Sequence, residues 1–61
     1  MKKLSQLEAL NVFTVSQGQP ISDAFAQKLV KRGLAERRGG KLVISSEGRA
    51  AFERWSGTRL P

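Results

Sequence analysis

The chain has 61 residues, with 11 Lys and Arg against 5 Asp and Glu, a formal charge of +6, and neither Cys nor His. A single domain of this size buries roughly 60% of its unfolded surface, and it has no disulfide or thiolate site to staple it, which leaves dimerisation as the remaining source of added stability. Scattered carboxylates do not make a transition-metal site, so no metal and no cofactor is expected, and the positive charge points equally to polyanions, nucleic acid ahead of an anionic membrane, and to a surface that is basic for solubility alone.

The opening run, MKKLSQLEALNVF, is broken by Gln6, Glu8 and Asn11. It reads as neither a signal peptide nor a membrane span, so a soluble cytoplasmic protein is the expectation. The first helix is expected over about residues 5–17. Ser5 with Glu8 forms a capping box. Leu7, Leu10 and Phe13, flanked by Ala9 and Val12, give an apolar face assigned to the core, with Phe13 as its anchor. Gly18 and Pro20 end the helix.

The second helix is expected over about residues 22–32, capped by Ser22 with Asp23 in its first turn. Phe25, Ala26, Leu29 and Val30 form the inward stripe, and Asp23, Gln27, Lys28 and Lys31 face outward. Gly33 and Leu34 then supply a Schellman ending, with Leu34 packing back on Leu29.

Two strands follow, 34–38 and 41–45, joined by Gly39-Gly40. Both residues of such a two-residue turn need positive φ. This register opposes Arg38 to Lys41, Arg37 to Leu42, Glu36 to Val43 and Ala35 to Ile44. Ala35, Leu42 and Ile44 share the core face, and Arg37 shares it near the tip. The opposed cations Arg38 and Lys41 cost a little stability.

Ser45 or Ser46 caps a third helix, about residues 46–56, with Glu47 in its first turn. Gly48 weakens that helix but allows close approach to a neighbour. Phe52 and Trp55 share a face, with Trp55 expected as a lid on the core. An exposed Trp55 would instead mark a protein interface. Arg49 and Arg54 face solvent. Gly57 ends the helix and residues 58–61 form a frayed tail, so the domain is 1–57. The expected fold class is a small α+β domain, ordered helix–helix–two-stranded hairpin–helix.

Leu29, Gly33, Leu34, Gly39-Gly40, Leu42, Ile44, Ser45, Gly48 and Arg49 together resemble the second half of a winged-helix domain. The likeness covers residues 29–52 and is to the short bacterial and phage members of that superfamily. It implies that the hairpin is the wing and the second helix the recognition helix. The family places three helices before the wing, whereas the Gly18–Ile21 connection leaves room for only a turn where the middle one would stand.

With no His, Cys or Tyr, an enzyme is not expected, nor is a small-molecule substrate. Gly39-Gly40 lacks the spacing of a phosphate-binding loop. Two function classes remain. The first is a DNA-binding regulator using Gln27, Lys28, Lys31, Arg32, Arg37, Arg38 and Lys41. Gln27 is suited to adenine, Lys28 to guanine or phosphate, and the others to phosphates. The second is a protein-interaction or assembly module, a homodimer among its forms, that keeps the winged fold and uses Trp55 and the apolar remainder of the first and third helices. Membrane-surface binding is a distant third, since no helix joins a strongly basic face to a large unclaimed apolar one.

Overall fold

The computed structural model describes residues 3–59. Its elements run α1 (Gln6–Ser16), α2 (Asp23–Lys31), β1 (Ala35–Arg38), β2 (Lys41–Ile44) and α3 (Ser46–Ser56). This is the expected α+β order, with each boundary shifted by a residue or so because the capping residues stand just outside the helices. No helix forms between α1 and α2. Met1, Lys2, Leu60 and Pro61, including the last half of the expected tail, lie outside the described residues. Among the described residues, no helix is long and apolar enough to cross a membrane.

The local chemistry of the helix ends explains the boundaries. The Ser5 hydroxyl accepts from the Glu8 amide at 3.1 Å while the Ser5 amide donates to Glu8 Oε1 at 3.0 Å. Both directions of the capping box are therefore made. Ser22 accepts from the Phe25 amide and caps α2. At the other end of α2, Leu34 N–H donates to the Leu29 carbonyl at 2.8 Å and Gly33 N–H to Val30 at 3.0 Å. These are the paired bonds of a Schellman ending, and its apolar contact is present too, since Leu29 and Leu34 are almost fully buried.

The hairpin is antiparallel, with Ala35 opposite Ile44, Glu36 opposite Val43, Arg37 opposite Leu42 and Arg38 opposite Lys41. Gly39 and Gly40 turn the corner with φ of 54° and 79°, the mirror-image turn whose twist matches the strands. Ala35 is buried, and Leu42 and Ile44 pack against the core, as alternation requires.

The tightest junction joins the end of α2 to the start of α3. The Ser45 amide donates to the Leu34 carbonyl at 3.1 Å, and its hydroxyl donates to the Gly33 carbonyl at 2.6 Å. The same hydroxyl accepts from the Gly48 amide at 3.0 Å, capping α3. One serine therefore closes the strand pair and opens the helix. Gly48 lies so close to β1 that a Cβ there would overlap the Leu34 carbonyl oxygen and stand 2.8 Å from its carbon.

Helix α1 sits differently from the sequence expectation. Its inward residues are Ala9, Val12, Val15 and Asn11, whereas Leu7, Leu10 and Phe13 are 50%, 60% and 42% exposed. The segment is apolar on both sides, so periodicity alone does not choose a face. Packing does: the small residues let α1 lie close to α3, β2 and α2 at once. Two further expectations fail for related reasons. Val30 is 38% exposed because Ala26 and Leu29 already fill the line against the core. Trp55 is half exposed and rests on Phe52, which itself lies against Phe13, so Phe52 closes the core and Trp55 is not a lid.

The Gly48 approach makes a direct prediction. Gly48→Ala should destabilise by about 3 kcal/mol, lowering Tm by more than about 10 °C in a chain this short. Gly40→Ala meets no atom within 4 Å, and it should cost only about 1 kcal/mol for its positive φ. Thermal unfolding followed by circular dichroism separates the two, and equal losses would remove the close-packing account.

Candidate functional site

Helix α2 distributes its side chains around the buried line of Ala26 and Leu29. On one flank, Phe25, Lys28 and Arg32 border a crevice of about 180 Å³ against Leu7 and Glu8 of α1. On the other flank, Asp23 faces the hairpin across an open groove of about 740 Å³. Gln27 and Lys31, one turn apart, are exposed and lie opposite the core.

The groove runs between the hairpin and the turn that joins α1 to α2. Val15, Ile21, Ala26 and Leu42 contribute apolar wall, and the charged groups at its border are Arg37, Lys41, Arg49 and Asp23. All four are exposed. Three cations against one carboxylate give the groove a positive potential, focused by the apolar wall. Arg37 reaches it because strand alternation points it to the core side at the tip, where the core has ended. Arg49 reaches it from α3, one residue after the glycine that brings that helix against the Leu34 backbone.

The structure thus sorts the basic residues named from sequence. Arg37 and Lys41 share the groove, and Lys31 and Gln27 share the outward face of α2. Arg38 shares the hairpin face away from Arg37 with its cross-strand neighbour Lys41, which still borders the groove; Arg38 is 75% exposed, with Nε 2.9 Å from Glu36 Oε1, and so exposed a pair adds little stability. Lys28 borders the α1 crevice instead of the groove. Arg32 is engaged inside the fold: its guanidinium pairs with Glu8 and donates to the Lys3 carbonyl at 2.9 Å. Arg49, absent from the basic set that the sequence suggests for binding, also borders the groove, and its place directly after Gly48 is the signal that points to it. Among the described residues, no group of three or more His, Cys, Asp or Glu stands close enough together to hold a metal.

Glu8 is tuned by this arrangement. Burial pushes its carboxyl up, but the Ser5 amide and the Arg32 guanidinium more than offset that, and the net value lies below the ordinary 4.5. A depressed folded value means that the contribution of Glu8 is full above about 4.5 and is lost as pH falls through the lower, folded value. The Glu8→Gln variant should therefore be less stable than the parent at neutral pH and should converge with it in acid. Urea midpoints measured down the acid limb test this, and parallel curves would contradict it.

No family model, no curated protein and no solved structure matches the chain. Its own geometry defines a small α+β domain in which a glycine-turned hairpin and a short helix flank a cationic groove.

Proposed function

We propose that this domain is a non-enzymatic, winged-helix-like module that binds double-stranded DNA, with α2 as the recognition helix and the β1–β2 hairpin as the wing. The observation that carries the reading is the groove bordered by Arg37, Lys41 and Arg49, with Asp23 as its single carboxylate. A phosphate backbone matches such a border, because each neutralised phosphate releases a condensed counterion. Gln27 and Lys31 lie on the outward face of α2, where they can meet base edges and phosphates. The absent middle helix leaves α2 without the element that sets its docking angle in the resembled family. The module therefore reads sequence weakly and binds duplex mainly through charge, which suits a small regulator acting with other site-specific contacts.

Anisotropy of a labelled random duplex, titrated with the protein and with salt, tests this. Lys31, Arg37, Lys41 and Arg49 acting together predict a log–log salt slope of about −3 to −4. The double variant Arg37→Glu/Lys41→Glu should bind at least about 100-fold more weakly with a flatter slope, its circular dichroism unchanged. Absence of binding by the parent at low salt, or an unaltered affinity in the variant, removes the proposal.

A further inference from the structure

The outward side of α1 carries the larger side chains, and that inversion has a physical consequence. Ala9, Val12 and Val15 turn inward while Leu7, Leu10 and Phe13, spaced three apart, turn outward at 50%, 60% and 42% exposure. The stripe continues onto α3, since the Phe13 and Phe52 rings stack with centroids 5.8 Å apart and Phe52 meets Trp55 at 5.9 Å. Trp55 is half exposed at the far end. The result is one apolar face running from Leu7 to Trp55 across two helices. Helices with apolar residues on both sides belong between two layers, and only one layer is present in the single chain.

We infer that this face is the two-fold interface of a homodimer, and that its occupant is α1 and Trp55 of a second copy. Charge argues for the second copy. The chain carries +6 overall, so two copies repel wherever cations face each other. The single charged residue of α1, Glu8, is paired with Arg32 of its own chain, and the stripe itself bears none. Its centre is the surface through which two basic chains approach with the fewest opposed cations, since Lys28 and Arg32 stand only at its Leu7 end, and the stripe itself offers a nucleic acid nothing to neutralise. Geometry argues in the same direction. A stripe of Leu, Leu and Phe that winds obliquely across the outer side of α1 is self-complementary when two helices cross antiparallel about Leu10, with Leu7 beside the partner's aromatic end.

Size completes the case. A stable interface takes about 800 Å² from each partner, roughly a fifth of the 4360 Å² this chain exposes. The exposed parts of Leu7, Leu10, Phe13 and Trp55 supply the apolar centre of such an area, and the surrounding surface of α1 and α3 supplies its rim. The internal core is also thin: its buried apolar residues include Ala9, Ala26, Ala35 and Ala51. A short chain with so small a core gains from oligomerisation what others gain from disulfides or metals.

The test is sedimentation equilibrium of the full chain over a wide concentration range, at moderate and high salt. The parent should dimerise, more tightly at high salt as cation repulsion is screened, and its Trp55 emission should shift to the blue as the dimer forms. Leu10→Glu places a charge at a position already open to solvent, so the monomer fold should survive by circular dichroism. Because it enters a two-fold interface twice, it should weaken dimerisation at least about 100-fold. Leu10→Gln should weaken it less, and it stands in for the glutamate if that variant does not fold. Lys41→Glu, distant from the stripe, should dimerise at least as well as the parent. A parent that stays monomeric at the highest concentrations, or a Leu10 variant that dimerises like the parent, overturns the inference. Neither outcome bears on duplex binding by the groove, which is read separately.

Discussion

The fold depends on the contact between the Leu34 carbonyl and the backbone of Ser45 and Gly48. Three elements meet there: the Schellman ending of α2, the start of β1 and the first turn of α3. Ser45 hydrogen-bonds to Gly33, Leu34 and Gly48 at once, and the missing Cβ of Gly48 leaves room for the Leu34 carbonyl. Because α3 begins at that fixed point, Ala51 and Phe52 fall on α1. Because β1 begins there, Ala35 points inward, and the hairpin tip is carried beyond the core with Arg37 on its inner face.

Much of this was legible because it is written in punctuation. Caps, the Schellman glycine, the two-glycine turn and the strand register each depend on residues within a few positions of one another. Ser5 with Glu8, Gly33 with Leu34, and Gly39 with Gly40 therefore announce their conformations locally. The facing of α1 was not legible in the same way. Leu7, Leu10 and Phe13 are the more apolar set, and burial by hydrophobicity alone selects them. The choice actually turns on how closely α1 must approach three neighbours, which favours Ala9, Val12 and Val15 and depends on parts of the chain remote in sequence. Trp55 was misplaced by the same logic, since Phe52 had already filled the position beneath it.

The basic residues show the parallel limit for sites. A sequence shows how many cations there are and on which elements, but not which are already engaged. Arg32 is drawn to Glu8 from 24 positions away and ties α2 to the start of α1. Arg49 reaches the groove only because Gly48 lets α3 settle against the Leu34 backbone. The groove is thus assembled by the same junction that sets the fold: Arg37 arrives through β1, Lys41 through β2 and Arg49 through α3. Positive charge is divided among faces accordingly, with the groove and hairpin on one side and the uncharged stripe of α1 on another.

The Gly39-Gly40 corner stands apart from all of this. No atom lies within 4 Å of a side chain added at either glycine, while at Gly48 even a single methyl group has nowhere to go. The domain is therefore modular in its tolerance for change. Its junction admits almost no variation, whereas at the tip the only local demand is the positive φ of the two-residue turn, so a longer loop of other geometry could replace it without disturbing what lies beneath. A lineage could in this way retune the reach and charge of the hairpin while keeping one scaffold, and an engineer could graft a binding loop there for the same reason.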